Sequence, residues 1–541
     1  MTAATVQPHP AIPSAIGPAL AWLTYRQVWR GAALVAAIVT GLSAMVAVQY
    51  QTTFADTLDP GALRALAENP AVRVLFGEPR ALDDPGGFTV WRTGTPALVL
   101  CGVWALTSAT RLTRGEEESG RWDLVLGGRV RIVDMVAWCT AILTVAALLS
   151  AVGIGAALIA TGTDASGAVM HGLCVLGSTV TFAGVGVLAA QLLGSRSAAT
   201  GAACAVVGLS LLLRMLADGV SALAWTAWFT PFGLAARAAP YAENRVTPVL
   251  ALAGLAIAPA VAALIVARRR DLGGAVFVRS DTRAPRTRLL GSVPAFAVRR
   301  ALAPTMGWAV GIAAYFVLIG ALTSTIVSFL EQNPRFADLA ATAGFGGLGS
   351  VTGFAAALFA LLAIPVGLYA ATRIAAMAAD EKARRWTPLH ALPLSRYQLA
   401  GAEIAVIALG VAGLLTTAAS AMWIGAVSTG APLGLRDAFA GAFNLVPVVL
   451  LALGAATLGL GWYPHAVAAI GAVPVVGGFL LDVIAASTDA PTWLREISPF
   501  AHLAAVPDTG PNLLASVILT VIAAATTALG LLGYTHRDLH D

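Results

Sequence analysis

The sequence predicts an all-α, polytopic membrane protein of about twelve transmembrane helices, built from two six-helix repeats. Three observations carry this prediction. Of the 541 residues, 58% are hydrophobic and only 11% are charged, whereas soluble domains carry about 25% charged residues. The apolar residues form long continuous runs, as helices that cross a bilayer require, and not the alternating pattern of a membrane barrel. Finally, several polar features recur in the same order in the two halves.

Twelve apolar runs are candidate membrane spans, because a helix needs roughly 20 apolar residues to cross the hydrocarbon core. In the first half we place them at 31–50, 96–110, 133–160, 169–193, 198–217 and 247–267. In the second half we place them at 307–329, 351–372, 401–427, 438–461, 465–486 and 513–534.

The arginines predict the orientation. They are concentrated before the first span and between the second and third, sixth and seventh, and eighth and ninth spans. All four regions lie on one side of the membrane. The positive-inside rule makes that side the cytoplasm, so both termini are expected to be cytoplasmic in a plasma-membrane protein. The basic residues accompany no aromatic recognition module, and nucleic acid is therefore not expected as a partner.

These features divide the chain into four parts. Residues 1–30 form a cytoplasmic N-terminus that ends in an interfacial helix, where Trp22, Tyr25 and Trp29 lie beside arginines. Residues 31–267 form the first six-helix half. Residues 268–306 form an Arg-rich cytoplasmic linker with a second interfacial helix, and residues 307–541 form the second half.

Four features recur about 262 to 269 positions apart and indicate an internal duplication. The second and eighth spans both end in Thr-Arg. The first charged segment (residues 113–126) then corresponds to the second charged segment (residues 378–392), with Glu118 and Arg121 aligned on Glu381 and Arg384. Acids follow at Asp134 and Glu403, and a Pro-Phe element precedes the last span of each half. Because six spans are an even number, the repeats are expected to be parallel, about an axis along the membrane normal.

The first charged segment is the strongest functional candidate. Glu116, Glu117 and Glu118 are expected to open a short helix, whose N-terminus favours carboxylates. Arg121 lies one turn after Glu117 and is expected to pair with it. Trp122 and Leu124 give the segment an apolar side. It is either a docking element for a cytoplasmic partner or a solvated connector, and its recurrence favours docking.

The segment TRGEEESGRWDLVLGGRVRI resembles the charged loop of duplicated permease subunits of ABC-2 type exporters, in particular the actinobacterial polyketide-antibiotic (tetronasin-like) exporters. The resemblance implies a coupling helix that rests in a groove of an ATPase subunit. The residues that it implies for coupling are Glu116, Glu117, Glu118, Gly120 and Arg121 in the first copy. In the second copy they are Asp380, Glu381, Arg384 and Arg385, where Ala383 replaces the glycine.

The resemblance implies the permease subunit of an ATP-driven exporter for hydrophobic or amphipathic small molecules such as antibiotics. The chain has no GxxxxGK[ST] phosphate-binding loop. We therefore expect ATP and Mg on a separate ATPase, in two copies, and neither a bound cofactor, nor a metal, nor a catalytic residue on this chain. The alternatives are an ion-gradient-driven multidrug transporter, a lipid exporter and a membrane enzyme acting on lipid. Scarcity of acids at span centres counts against ion coupling.

Three further sets of residues are weaker candidates. By the resemblance, residues 222–240 and 491–507 form short hairpins in the outer leaflet, with candidate gate residues Trp228, Phe229, Pro231, Phe232, Pro499 and Phe500. Aromatic residues within spans line a substrate path or simply pack: Trp104, Phe182, Phe359, Tyr369 and Trp423. Arg214 and Asp218 lie one turn apart near the end of the fifth span and are expected to pair.

Overall fold

Apolar helices dominate the computed structural model, as the long apolar runs predict. The structure describes residues 16–54, 73–74, 77–128, 130–277, 287, 289–332, 349–487 and 491–537. The chain divides into two units, Met1–Arg283 and Ala284–Asp541. The residues of the second charged segment and of both Pro-Phe elements lie within the described ranges.

The described part of the first unit contains eight helices, which we number in chain order. They are α1 (Ile16–Gln49), α2 (Pro85–Thr110), α3 (Arg121–Leu126), α4 (Ile132–Ala160), α5 (Ala165–Leu192), α6 (Arg196–Gly219), α7 (Pro231–Ala238) and α8 (Val246–Ala267). A π-helical turn, Arg111–Gly115, and a single α-turn, Glu116–Glu118, join α2 to α3. A 3-10 helix, Ser221–Phe229, precedes α7.

The described part of the second unit contains ten helices, numbered on from the first unit. They are α9 (Val293–Gln332), α10 (Val351–Lys382), α11 (Thr387–His390), α12 (Arg396–Ser428), α13 (Leu435–Phe443), α14 (Val446–Trp462), α15 (Val467–Ala472), α16 (Gly478–Ser487), α17 (Thr492–Glu496) and α18 (Leu513–His536). A π-helical turn, Val473–Gly477, joins α15 to α16. A 3-10 helix, Pro499–His502, lies between α17 and α18.

Ten helices in the described ranges are long and apolar enough to cross a membrane. The sequence predicts twelve, and the second and eleventh predicted spans do not qualify. The N-terminal half of α2 is polar, since it contains Arg92 and several glycines and threonines. At the eleventh position the apolar helix, Val467–Asp482, has 16 residues. At 1.5 Å per residue it reaches about 24 Å, less than the roughly 30 Å hydrocarbon core.

Both predicted interfacial segments are the first turns of long helices. Residues 19–30 belong to α1 without a break, and residues 294–302 belong to α9. These helices have 34 and 40 residues, so they exceed the roughly 20 residues that a span requires. Trp22, Tyr25 and Trp29 are exposed, and the Arg26 guanidinium stacks 4.7 Å from the Trp22 ring.

Helices pack in the same order in the two units. In the first, α1 packs on α4, α5 on α8, and α2 on α5. In the second, α9 packs on α12, α14 on α18, and α10 on α14. One difference is that α4 packs closely against α5, whereas their counterparts α12 and α14 have little contact. Apart from this contact between the third and fourth helices, the predicted first, second, third, fourth and sixth helices of each unit pack in equivalent pairs.

Glycines permit a close contact between α9 and α12 in the second unit. A Cβ added at Gly425 of α12 would lie 2.2 Å from the Val317 carbonyl oxygen, and one at Gly320 of α9 would lie 2.3 Å from the Met422 carbonyl oxygen. The two backbones therefore touch directly, as small residues allow in membrane helix pairs.

This contact predicts that Gly425→Ala lowers the stability of the second unit by about 1–3 kcal/mol, because α9 and α12 must separate. Gly413→Ala is the matched control, since nothing lies within 4 Å of a Cβ at that position of the same helix. Thermal unfolding of the purified protein in mild detergent is the measurement. Equal midpoints for the two variants would contradict the prediction.

Candidate functional site

The Glu117 carboxylate is the centre of a buried ionic cluster in the first charged segment. Arg270, which follows α8, donates from both terminal nitrogens to the two carboxylate oxygens at 2.6 and 2.7 Å. Arg114 lies 3.0 Å away, and the Gly273 backbone N–H donates at 2.8 Å. The side chains of Glu117, Arg114 and Arg270 are at most 5% exposed.

The two arginines are themselves held by backbone carbonyls and by one side-chain oxygen. Arg114 donates to the carbonyls of Leu193 and Gly274, both at 2.9 Å. Arg270 donates to the Gln191 side-chain oxygen and the Gly274 carbonyl, both at 2.8 Å. The cluster therefore ties the segment after α2 to the ends of α5 and α8. Burial would raise the pKa of Glu117, but the Arg270 and Gly273 hydrogen bonds and the nearby positive charges hold it below its usual 4.5.

Arg121 pairs with Glu116 and not with Glu117, so the predicted pairing is wrong. The Arg121 nitrogen lies 2.8 Å from a Glu116 oxygen. The reason is that Gly120 adopts a left-handed conformation, with φ +72°, which ends the α-turn and starts α3 in a new direction. Arg121 is therefore not one helical turn after Glu117. Glu118 points elsewhere, and its carboxylate accepts the Arg196 backbone N–H at 2.7 Å, at the start of α6.

The second charged segment repeats this geometry at a spacing of 264 positions. Asp380 pairs with Arg385 at 2.9 Å, as Glu116 does with Arg121. Glu381 pairs with Arg537, just after the last helix, as Glu117 does with Arg270. The left-handed residue is Arg384, with φ +56°. The predicted register is therefore off by one, because Arg384 and not Ala383 takes the place of Gly120.

The tryptophans could have indicated this register from the sequence. Trp122 and Trp386 are also 264 positions apart, and both are buried. The acids Asp134 and Glu403 are not equivalent, contrary to the prediction. Asp134 caps the start of α4 together with Arg131, and the residues at that place in α12 are Gln398 and Ser395.

Arg300 makes the second copy different from the first. It lies 2.5 Å from Asp380 and 2.6 Å from Glu403, and its guanidinium stacks 4.8 Å from the Trp386 ring. Sequence reasoning did not select Arg300 as a site residue. Through it, the start of α9 contacts the second charged segment and α12 by charge. In the first copy Cys139 stands 264 positions before Glu403 and is buried.

Each charged segment also presents an exposed side. In the first, Glu118, Arg121 and Leu124 are exposed, and Leu124 is 85% exposed. In the second, Arg384 and Arg385 are exposed. Trp122 is fully buried, so the expected apolar side is divided between the core and the surface. The exposed side is the part that a partner can reach.

The Pro-Phe elements place their aromatic residues differently. Trp228 and Phe229 are exposed at the end of the 3-10 helix, whereas Pro231 and Phe232 are buried. Phe232 lies 5.4 Å from Phe182 in the core of the first unit. In the second unit Pro499 and Phe500 are half-buried, and Phe500 lies 5.9 Å from Phe479.

The aromatic path candidates are mostly packed. Phe182, Phe359 and Tyr369 are buried, whereas Trp104 and Trp423 are half-buried. Phe359 stacks on Phe316 at 5.7 Å. The sequence left two roles open for these aromatic residues, a substrate path or simple packing. The contacts within each unit correspond to packing.

Arg214 and Asp218 form the predicted ion pair, with Nε and Oδ2 2.6 Å apart. Helix α6 positions both residues near its C-terminal end, opposite the end at which Arg196 contacts Glu118. Gly77, with φ +95°, packs against the pair, and a Cβ added there would lie 2.0 Å from Arg214. No group of three or more His, Cys, Asp or Glu side chains that could hold a metal ion occurs in the described ranges.

The buried cluster predicts that Glu117→Gln destabilises the protein by about 3–5 kcal/mol, because two buried arginines lose their counter-charge. Glu118→Gln is the control, since that side chain is exposed and the amide oxygen still accepts the Arg196 N–H. Unfolding midpoints in detergent measure both. Equal midpoints would contradict a structural role for Glu117.

The lowered pKa of Glu117 also predicts a pH dependence. A carboxylate whose pKa is lower in the folded state stabilises the fold above its unfolded pKa, and this contribution is lost as the pH falls through the folded pKa. The stability advantage of the wild type over Glu117→Gln should therefore be complete at neutral pH and shrink below about pH 4.5. Unfolding midpoints of both proteins across this range test it, and a constant difference would refute it.

Comparison with known proteins agrees with the membrane fold. Residues 290–535 match the family model described as the C-terminal domain of the multidrug efflux system permease Rv1217c. No curated protein matches the chain significantly. The matched residues cover most of the second unit, from before α9 to the last turn of α18. The chain is thus a multi-pass membrane protein whose second half is similar to the C-terminal domain of a multidrug efflux permease family.

Proposed function

We propose that this chain is the membrane subunit of an ATP-driven exporter of hydrophobic or amphipathic small molecules, including antibiotics and other drugs. The observation that carries the proposal is the match of residues 290–535 to a multidrug efflux permease domain. Ten helices of spanning length and hydropathy support a membrane pathway. The actinobacterial polyketide-antibiotic subfamily and the twelve-span, two-repeat arrangement are part of this proposal.

The energy source in this proposal is a separate ATPase that binds the exposed sides of the two charged segments. Both segments are short, charged and anchored by a carboxylate-arginine pair, which is buried in the first segment and half-buried in the second. An anchored element can transmit a displacement to α8 or α18, whereas a loose connector would absorb it. Two ATPase copies, one for each segment, carry ATP and Mg, and the side of the membrane that bears the segments is the cytoplasm.

The arrangement of buried charges favours this mechanism over ion-gradient coupling. An ion-coupled transporter uses acids at membrane depth that bind and release the ion. Here Asp218 pairs with Arg214 and Glu403 pairs with Arg300. Asp134 lies at the start of α4 and pairs with Arg131. Each of these three acids therefore has an arginine partner in the folded state.

We also propose a role for the Pro-Phe elements, at the end of each unit opposite the charged segment. The exposed Trp228 and Phe229 are suited to the membrane interface, where tryptophan is favoured. We assign these residues, with Pro499 and Phe500, to an extracellular gate. Lipid export remains the second candidate function, since an amphipathic lipid fits the same description of the substrate.

If an ATPase docks on the first charged segment, Leu124→Asp should weaken that docking. Because Leu124 is 85% exposed, a charge there should leave folding unchanged but remove an apolar contact from the partner. We expect at least tenfold less ATPase to co-purify with the variant from its own host, and ATP-dependent efflux into inside-out vesicles to fall with it.

The matched control is Leu290→Asp, which makes the same change at an exposed leucine outside the charged segments. It should retain both ATPase capture and transport. Two results would refute the proposal: no ATPase co-purifying with the wild type, or drug transport that runs without ATP on a proton gradient. Transport of labelled phospholipid, but of no drug, would favour lipid export.

A further inference from the structure

A small cavity lies in the first unit at the end opposite the first charged segment. Its volume is about 70 Å³, and it is partly open. Residues near the start of α2 and α5, the end of α6, and α7 line it. Apolar walls come from Trp91, Leu98 and Phe232, and two basic side chains, His171 and Arg214, reach it from α5 and α6.

The Arg214 guanidinium has hydrogen-bond donors that no acceptor among the described residues uses. Its side chain is only 4% exposed. The contact with Asp218 is close, but it is not aligned as a hydrogen bond, and Nη1 has no partner within the described ranges. A buried charged donor without an acceptor is unfavourable. An acceptor inside the cavity would therefore be bound strongly.

His171 supplies a second unused group. It is 2% exposed, and its Nε2 has no hydrogen-bond partner among the described residues. It lines the same cavity as Arg214 although the two belong to different helices. In the tautomer with the proton on Nε2, His171 and Arg214 offer donors from neighbouring helices that line one cavity. Two such donors suit a ligand with at least two acceptor atoms.

The unused donors favour an anionic ligand over a cationic one. Glu78, which also lines the cavity, is already paired with Arg73 and Arg80, at 3.4 and 2.6 Å. Arg80 also contacts Glu243, and Arg214 is paired with Asp218, so these charged side chains balance and the preference for an anion rests on the unused donors. A carboxylate offers two oxygens in the planar arrangement that a guanidinium binds best. The aromatic and aliphatic walls suit an apolar group next to that carboxylate.

We propose that this cavity binds the carboxylate of a small amphipathic organic acid, held by Arg214 and His171, with its apolar part against Trp91 and Phe232. That this acid is a transported substrate rests on the proposed function. The binding itself does not, since the first unit supplies every residue named. In the second unit Asp482 stands 264 positions after Asp218, but its partner Arg495 is 53% exposed, so this pair is not a buried equivalent of Arg214 and Asp218.

The test uses the full chain in nanodiscs of neutral phosphatidylcholine, without ATPase, and radiolabelled benzoate as the probe. We expect saturable binding of one benzoate per chain. Acetate should displace it at higher concentration, because the carboxylate is shared, and benzamide, which keeps the ring but lacks the charge, should not. Binding that benzamide displaces equally well, or no saturable binding, would overturn the proposal.

Variants then assign the site. Arg214→Gln should weaken benzoate binding at least tenfold, and His171→Leu should weaken it by a smaller factor. Arg495→Gln is the matched control and should bind as the wild type does. If Arg214→Gln does not fold, the double variant Arg214→Gln/Asp218→Asn removes both charges and leaves no unpaired acid. Wild-type affinity in the folded variant would refute the assignment.

Two further competition experiments distinguish an organic acid from a free phosphate or a lipid headgroup as the bound anion. Displacement of benzoate by inorganic phosphate, or by phosphatidylglycerol added to the nanodiscs, would identify a general anion or lipid-headgroup site and overturn the organic-acid assignment. The outcomes also separate the two proposals. Benzoate binding without ATP-driven export would refute the proposed function alone, and ATP-driven export without benzoate binding would refute this site alone.

Discussion

The buried pair of Glu117 and Arg270 is the interaction on which the arrangement of the first charged segment depends. An ionised carboxylate in an apolar interior is unstable unless it is paired and fully hydrogen-bonded. Glu117 meets that condition with Arg270, Arg114 and the Gly273 N–H. The partners come from after α8, so the pair closes a loop of more than 150 residues and fixes where the segment leaves α2.

This anchor determines which side of the segment faces outward. With Glu117 and Trp122 held inside, Arg121 and Leu124 are left exposed. The second unit reaches the same result with Glu381, Arg537 and Trp386, although its sequence is different. One Glu381 oxygen has no partner within the described part of the chain, so the second anchor is less completely satisfied. The two copies are therefore equivalent in geometry and unequal in strength.

Buried polar groups have different roles at the two ends of the first unit. Around the first charged segment, the buried charges of Glu117, Arg114 and Arg270 are matched and hold the backbone. At the opposite end of the first unit, Arg214 and His171 retain unpaired nitrogens beside a cavity. A protein tolerates unsatisfied buried donors where a ligand or water completes them. The same residue types thus have a structural role in one place and a binding role in the other.

The sequence alone determined that the chain is a helical membrane protein with repeated features, because hydropathy and composition are properties of local segments. It also selected the charged segments and the Arg214–Asp218 pair, which lie within one turn or one loop. Only the tertiary structure decided that Glu117 pairs with Arg270, 153 positions away, and that Arg384 takes the place of Gly120. These outcomes depend on contacts between distant segments and on backbone direction, which neither hydropathy nor spacing encodes.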